Sequence, residues 1–316
     1  MNCAVTAFIR IPISARFGRQ VRSGLLLVVG LFISAVVGAA SHEATYADGG
    51  MVASRSALAS EVGAEILNRG GNAIDAAVAT GFALAVTHPS AGNLGGGGFM
   101  VIRLADGTLM TNDHRERAPA AATRDMFLDE QGEFIPDLST KTHLAAGVPG
   151  TVAGLLDVLE RYGTMSVKEV IDPAIRLAQR GFVLSYDLSS KLEQRLPQFA
   201  PYPASLAIFS RDGEPYRQGD TFAQKDLAAT LKRIRRNGRD GFYAGRTADL
   251  IVAEMQRGGG LITHQDLKDY TSVWREPVRG TYRGYEIVGM PPPSSGGALV
   301  VQMLNMLEPY DIAALG

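Results

Sequence analysis

The sequence contains only one cysteine, Cys3, among 316 residues. A disulfide framework within the chain and a zinc or redox site built on a CxxC pair are therefore excluded. The sequence also lacks HExxH, GxSxG, a GKS or GKT phosphate loop and an EF-hand loop. Its five histidines show no metal-ligand spacing, so the sequence predicts neither a metal site nor an organic cofactor.

Acidic residues are missing from the first forty positions, which hold four of the 31 basic residues and none of the 32 acidic ones. The rest of the chain therefore has a formal net charge of −5. A mildly acidic body binds a phosphate backbone poorly, because that interaction depends on a cationic surface. Nucleic acid is not an expected partner.

The N-terminal region contains one uncharged run, Ser23–Ser41, whose centre is strongly apolar. Arginines precede this run, and the small residues Gly38, Ala39 and Ala40 close it. This layout predicts a secretory signal peptide that is cleaved after Ala40 or, alternatively, after Ala47. The run is shorter than the roughly 20 apolar residues of a spanning helix, so retention as a membrane anchor is the weaker alternative. We therefore expect a secreted or periplasmic protein whose mature form has no cysteine.

The body of the chain has an ordinary globular composition, with 46% hydrophobic and 20% charged residues. This apolar content is sufficient for a core and argues against general disorder. No linker, low-complexity tract or fixed repeat divides it, so one domain over residues 48–316 is predicted. Helical and strand patterns are mixed, which predicts an α+β class with helices around a mostly antiparallel sheet.

Local signals position several helices. Apolar spacing predicts helices over Ser54–Arg69, Ala73–Val86, Asp226–Asn237, Thr247–Arg257 and Ala298–Leu307. Asn72 with Asp75, and Ser166 with Glu169, are typical helix N-terminal capping pairs. Pro149 is predicted as the first residue of a helix that ends near Gly163.

One hairpin and one further β region are also indicated. Asp106-Gly107 separates the apolar runs Phe99–Leu104 and Leu109–Arg115, and glycine accepts the positive φ of a tight turn. Val278–Val288 is rich in strand-forming residues and contains Arg283-Gly284, so it is predicted as a second β region.

A run of four glycines and a run of charged residues are the first candidates for function. Gly95–Gly98 permits close approach of the backbone to a ligand or to another chain segment, although composition favours a sharp turn before a buried strand. Asp113–Arg117 is typical of a solvated face. The alternative is that Arg115 binds a carboxylate through its planar guanidinium. Strand alternation would place Arg115 on one face, with His114 and Glu116 on the other.

The proline-rich segment Pro291–Gly297 is the third candidate. Three prolines stiffen it, and the small residues that follow permit close backbone packing. It is predicted as a connection from a strand to a helix, with Ser294 or Ser295 as the N-cap. A nucleophilic serine here would need a base, to which the sequence does not point.

Taken together and in this order, these segments resemble the γ-glutamyltransferase (γ-glutamyltranspeptidase, glutathione hydrolase) family. The resembling segments are Gly70–Ala79, His88–Ser90, Gly95–Phe99, Arg115–Pro119, Val148–Gly150 and Pro291–Gly297. Arg115-Glu116-Arg117-Ala118-Pro119 is similar to the family's R-E-x-A-P segment. The resemblance extends over residues 50–316, although His114 and Arg117 stand where such segments often carry apolar or less charged residues.

The resemblance implies a four-layer αββα sandwich of the N-terminal-nucleophile hydrolases, and a proenzyme that cleaves itself into a large and a small subunit. It further implies that the new N-terminal Thr of the small subunit attacks the γ-glutamyl amide of glutathione or a similar donor. The γ-glutamyl group then passes to water or to an amino-acid or peptide acceptor. Within this chain, the family's carboxylate-binding role is carried over to Arg115, and no cofactor is implied.

The family's catalytic segment, T-T/S-H-x-S, is not found in these 316 residues. The chain is therefore expected to contain no catalytic nucleophile, to correspond to most of a large subunit with an incomplete sandwich, and to be inactive alone. It is also expected to leave strand edges and apolar faces uncovered. Two alternatives remain open: a related acylase acting on cephalosporin side chains or polyglutamate, and a truncated, non-catalytic protein that binds γ-glutamyl compounds or a partner.

Overall fold

The computed structural model describes residues 45–315, and the predicted signal peptide over residues 1–40 lies outside them. The chain divides into the units Met1–Asp48 and Gly49–Gly316, and every element named below belongs to the second. The domain predicted from the sequence, residues 48–316, remains a prediction.

Helices dominate the second unit. In chain order they are α1 (Ala57–Asn68), α2 (Ala73–Thr87), α3 (Pro136–Lys141), α4 (Thr151–Tyr162), α5 (Val167–Arg180), α6 (Tyr186–Phe199), α7 (Pro203–Phe209), α8 (Lys225–Asn237), α9 (Asp240–Tyr243), α10 (Gly245–Gly258), α11 (His264–Asp269) and α12 (Ser295–Leu307). Two 3₁₀ helices span His143–Ala145 and Ile312–Leu315.

The strands are short and form small antiparallel sheets. They are β1 (Phe99–Arg103), β2 (Leu109–Asp113), β3 (Phe182–Val183), β4 (Thr221–Phe222), β5 (Val273–Arg275), β6 (Val278–Tyr282) and β7 (Tyr285–Gly289). The largest sheet has the order β1-β2-β5, whereas β3 pairs with β4 and β6 with β7. Each of these strand pairs is antiparallel, and helices make up most of the other elements, so the α+β prediction is confirmed.

Helix α2 lies at the centre of the core. It packs against α1, α4 and α5, and α5 in turn packs against α8. Phe82, Val78 and Val86 of α2 are fully buried. The predicted capping pair is present at its start, where Asn72 Oδ1 accepts a hydrogen bond from the Asp75 N–H and Asp75 Oδ2 accepts one from the Asn72 N–H. The Ala-rich sequence therefore forms a helix that is buried on most sides.

The local sequence predictions agree well with these elements. The five predicted helices are present with ends shifted by three residues at most, and Ser166 with Glu169 forms a capping box at the start of α5. Gly107 has φ +86° in the turn between β1 and β2, and Gly284 has φ +81° between β6 and β7. The predicted Asp106-Gly107 hairpin is therefore confirmed, and the predicted second β region forms a hairpin as well.

Two predictions around residues 113–151 are wrong. Helix α4 begins at Thr151 with Gly150 as its N-cap, so Pro149 precedes the helix and is not its first residue. Strand β2 ends at Asp113, and residues 114–117 do not continue it. Strand alternation does not apply there, and Arg115 and Glu116 are both exposed.

Candidate functional site

The candidate site is the segment that leaves β2, residues 113–117, which we call the Arg115 segment. The glycine run Gly95–Gly98 flanks it and pairs with it: the Gly98 N–H donates to His114 O at 3.3 Å, and the His114 N–H donates to Gly98 O at 3.1 Å. Val148 lies beside it, forming an antiparallel bridge with Arg117. Three of the segments singled out in the sequence therefore meet at one place.

The glycines are required for this close packing. A Cβ atom on Gly97 would lie 2.8 Å from Arg115 Cα, and one on Gly98 would lie 2.9 Å from His114 Nε2. On the other side, a Cβ on Gly150 would overlap His114 O. The glycine run thus serves close approach to another chain segment, which is one of the three alternatives that the sequence leaves open for it.

The main chain of Arg115 is fixed at both of its polar atoms. Its N–H donates to Asp113 Oδ1 at 3.1 Å, and its carbonyl oxygen accepts from the Tyr270 hydroxyl at 2.7 Å. Asp113 is buried, and its Oδ2 accepts from Arg275 Nε at 2.9 Å. Arg275 lies in β5, so a strand more than 150 residues away helps to position Arg115.

The side chain of Arg115 is partly held and partly free. Its Cζ lies 5.5 Å from the centre of the Phe99 ring, and its Nε donates to Glu116 Oε2 at 3.1 Å. Within residues 45–315, no partner contacts its Nη1 or Nη2 at hydrogen-bond distance, and the side chain is 52% exposed. Two coplanar N–H groups are therefore available to bind a carboxylate in the bidentate manner.

His114 is buried directly beside this exposed arginine. Only 5% of His114 is exposed, and its Nδ1 lies 2.9 Å from Asn112 Oδ1. Burial lowers the pKa of His114 to about 4, against the smaller opposing effect of the Asp113 and Glu116 carboxylates. The imidazole is therefore neutral at neutral pH.

A polar network continues from Asn112 to Asp157 on α4. Asn112 Nδ2 donates to Ser272 Oγ at 3.1 Å, and Ser272 Oγ donates to Asp157 Oδ2 at 2.6 Å. Burial alone would raise the pKa of Asp157, but hydrogen bonds from Ser272, Arg161 and Trp274 outweigh it and hold that pKa below its usual value. The ionised Asp157 carboxylate thus holds this network on the side of the site that faces α4. Sequence reasoning missed this network because no local signal links residues 112, 157 and 272.

The remaining candidates have structural roles. Asp75, in the segment Gly70–Ala79, is fully buried and accepts hydrogen bonds from Thr164 and Met165. Ser294 is the N-cap of α12, as predicted, and its Oγ accepts from the Gly296 N–H at 3.1 Å. Pro291–Gly297 connects β7 to α12 rather than joining the Arg115 segment.

Neither a metal cluster nor a spanning helix is found in the described part of the chain. Over residues 45–315, His, Cys, Asp and Glu side chains form no group of three that could hold a metal ion. Over the same residues, no helix combines the length and apolarity needed to cross a bilayer. A groove of about 760 Å³ lies beside Asp157 and Ser272, and Arg115 is not among the residues that line it.

Comparisons with known proteins agree on one family. Residues 59–316 match the family model described as gamma-glutamyltranspeptidase. The chain is 53% identical over 268 residues to a glutathione hydrolase proenzyme of Escherichia coli, covering 84% of this chain and 46% of that protein. It is 44% identical over 273 residues to the acylase ACY 1 proenzyme of a Pseudomonas species, covering 84% of this chain and 49% of that protein. The chain thus spans about half the length of these curated relatives.

A solved structure shows the same likeness. The structure of the Helicobacter pylori gamma-glutamyltranspeptidase superposes with a TM-score of 0.85 at 50% identity, covering 87% of this chain and 79% of that one. The resemblance read from the ordered motifs is therefore confirmed.

Proposed function

Because the chain belongs to the gamma-glutamyltranspeptidase family and shares the fold of its N-terminal-nucleophile hydrolases, we propose that it is the large-subunit part of a γ-glutamyltransferase (glutathione hydrolase). In this proposal, Arg115 binds the α-carboxylate of the γ-glutamyl donor, and a threonine outside residues 1–316 is the nucleophile.

The observation that carries the proposal is that Arg115 is held in place while its terminal nitrogens have no partner among the described residues. Its main chain is held at both polar atoms and its Nε is paired, so the direction of the guanidinium is constrained. The two terminal nitrogens remain free of partners within the described residues. A group prepared in this way binds a planar carboxylate with little loss of entropy.

The proposed reaction proceeds through a covalent intermediate. The threonine hydroxyl attacks the γ-carbonyl carbon of the donor while the α-amine of the same threonine takes its proton. The carbon–nitrogen bond then breaks, and the proton passes to the departing amine, which leaves a γ-glutamyl ester. Water or the amine of an amino acid or peptide breaks this ester and receives the γ-glutamyl group. Arg115 acts at the far end of the donor, where it orients the substrate without touching the reacting carbon.

The structure supports a partner for the chain, which we propose to be the small subunit. Small-molecule sites are usually concave and enclose most of their ligand, whereas the Arg115 side chain is half exposed. A second wall from another polypeptide would complete the donor site. We further propose that the protein is secreted or periplasmic, because its N-terminal sequence has the layout of a secretory signal.

An acylase activity is the second candidate, since one relative at 44% identity is an acylase. Cephalosporin side chains and γ-linked polyglutamate can also present a carboxylate to Arg115. A donor panel that includes both assigns the substrate class through the relative kcat/KM values.

The test is a kinetic comparison of the native protein with single substitutions at Arg115. The protein is expressed from its complete native reading frame and purified with any chain that accompanies it. A chromogenic γ-glutamyl anilide, a glutaryl-cephalosporin and γ-polyglutamate serve as donors. For the γ-glutamyl anilide, we expect Arg115→Ala to raise KM by roughly a hundredfold and Arg115→Lys by about tenfold, because lysine lacks the planar pair of donors.

Arg279→Ala is the matched control. Arg279 is 54% exposed and pairs with Glu286 at 3.3 Å, much as Arg115 pairs with Glu116. Its loss should leave KM unchanged. An unaltered KM in Arg115→Ala would contradict the role of Arg115, and absence of γ-glutamyl turnover in the native protein would contradict the proposed activity.

A further inference from the structure

Two buried tyrosines stack behind the Arg115 segment. The rings of Tyr243 and Tyr270 lie 5.9 Å apart at an interplanar angle of 7°, and each residue is 2% exposed. Tyr243 belongs to α9, and Tyr270 follows α11 directly. Neither residue stands out in the sequence, because their partners lie far away along the chain.

Arg239 contacts both tyrosines of this stack and holds them in place. Its Nη2 donates to the carbonyl oxygen of Tyr270 at 2.7 Å and to that of Lys268 at 2.9 Å. These carbonyls lie at the end of α11, where backbone acceptors have no partner within the helix. The Arg239 Cζ also lies 4.6 Å from the centre of the Tyr243 ring. The main chain of Tyr270 and the ring beside it are therefore held by one cation.

The two hydroxyls of the stack bind different segments. Tyr243 donates to Pro149 O at 2.8 Å, ahead of α4. Tyr270 donates to Arg115 O at 2.7 Å. Burial raises the pKa of Tyr270 to about 12, so its hydroxyl keeps its proton and remains a donor at neutral pH. Gly150 permits this approach, since a Cβ there would overlap the Tyr270 hydroxyl oxygen.

We infer that Tyr270 is a positioning residue for donor binding: its hydroxyl holds the carbonyl of Arg115 and so directs the guanidinium toward the donor carboxylate. This inference rests on the proposed function of Arg115. The Asp113 carboxylate on the Arg115 N–H and the Tyr270 hydroxyl on the Arg115 carbonyl hold the two peptide groups on either side of the Arg115 Cα, and so oppose the rotation that would turn the side chain away. Tyr270 itself makes no contact with the donor.

The substitution Tyr270→Phe removes this one contact and keeps the stacked ring. Arg115 then has to be ordered when the donor binds, and this cost falls equally on the bound donor and on the transition state, because the α-carboxylate is remote from the reacting carbon. We expect KM for the γ-glutamyl anilide to rise by about fivefold to twentyfold, with kcat changed by less than about twofold. The Ki of an analogue with a carboxamide in place of the α-carboxylate should change little.

Tyr243→Phe is the matched control for burial and stacking. It deletes the neighbouring hydroxyl of the same stack, which binds Pro149 instead of Arg115. Its melting temperature should fall at least as far as that of Tyr270→Phe, while the ratio of donor KM to carboxamide Ki should stay at the wild-type value. A purely structural role for Tyr270 would move both variants in parallel and would overturn the inference.

A readout independent of activity separates this inference from the proposed function. The rate at which phenylglyoxal modifies Arg115 is measured by peptide mass spectrometry in the native protein and both variants. We expect a rise of about threefold or more in Tyr270→Phe and none in Tyr243→Phe, because only the first releases the Arg115 carbonyl. An unchanged rate in Tyr270→Phe overturns the inference, whether or not the native protein cleaves γ-glutamyl donors. Absence of γ-glutamyl cleavage together with a raised rate overturns only the proposed function.

Discussion

Arg115 and His114 are adjacent in sequence and have opposite surroundings. The Arg115 side chain is half exposed, whereas His114 is enclosed by the backbones of Gly98, Gly150 and Gly154. The enclosure leaves the His114 imidazole one hydrogen-bond partner, Asn112, and excludes the water that would stabilise an imidazolium. The residue next to the proposed carboxylate-binding group is therefore a neutral packing residue at neutral pH.

This burial should make stability depend on pH in a defined direction. The pKa of His114 is about 4 in the folded protein, against an ordinary value of 6.5. Between these values the unfolded chain binds a proton that the folded chain does not, so stability is complete above about pH 6.5 and falls as pH decreases toward 4. The glutamine of His114→Gln cannot titrate. Between about pH 7.5 and about pH 5, we therefore expect the free energy of unfolding of this variant to fall by about 2 kcal/mol less than that of the wild type.

Urea unfolding at each pH measures this difference. Carboxylates elsewhere titrate equally in both proteins, so their effect cancels in the comparison. His264→Gln, which removes an exposed histidine paired with Asp249, is the control for exchanging a histidine for glutamine. Parallel curves for wild type and His114→Gln would show that His114 does not titrate as its burial requires.

At the scale of elements, helix α4 packs against the glycine run and against the buried side of the Arg115 segment. Its N-terminal N–H groups, those of Gly150 and Thr151, donate to Gly96 O at 2.7 and 3.0 Å. Its Asp157 anchors the Asn112–Ser272 network, and its Gly154 lies directly under the His114 ring. One face of this helix therefore contacts both the glycine run and the Arg115 segment.

Gly154→Ala tests this packing. Alanine favours a helix over glycine by up to about 1 kcal/mol, so an exposed site would gain stability. At Gly154 the new Cβ would overlap the His114 ring, and we expect a net loss of roughly 2 kcal/mol or more. Gly81→Ala in α2 is the matched helical control, because its Cβ would meet only the Leu155 side chain at 3.1 Å, which can move. Thermal unfolding of the two variants gives the comparison, and equal effects would contradict the close contact at Gly154.

The elements that could be predicted are those whose signals are local. Asn72 with Asp75, the Asp106-Gly107 turn and the Ser294 cap depend on neighbours within a few residues, and each is present in the structure. The ordered motifs also identified the family and Arg115 as the candidate residue. By contrast, β5 has only three residues and pairs with β2 across more than 150 positions, so no local sequence pattern predicts it. The bond from Tyr270 to Arg115 spans 155 positions and is equally invisible in the sequence.

At the scale of the whole molecule, helix α12 presents an uncovered apolar surface. Its other side packs on the β6–β7 hairpin, where Val301 lies against Gly280. The exposed side carries Leu299, Met303 and Met306, which are 51%, 54% and 66% exposed. Their spacing places them along one face of the helix. A contiguous apolar surface of this kind is typical of an interface between chains.

We therefore expect the 316-residue chain, expressed alone, to self-associate through this surface. Size-exclusion chromatography with light scattering should show species larger than the monomer, and Leu299→Lys with Met306→Lys should shift the distribution toward the monomer, because two charges at the contact oppose its desolvation. Leu250→Lys is the control: Leu250 is 46% exposed on α10, away from this surface, and its substitution should leave the distribution unchanged.

If the surface also receives the proposed small subunit, the double variant should retain less of that subunit on co-purification from the native reading frame, while Leu250→Lys retains it fully. A wild-type chain that is monomeric and melts sharply and reversibly would show instead that the apolar face of α12 is tolerated in water and is not an interface.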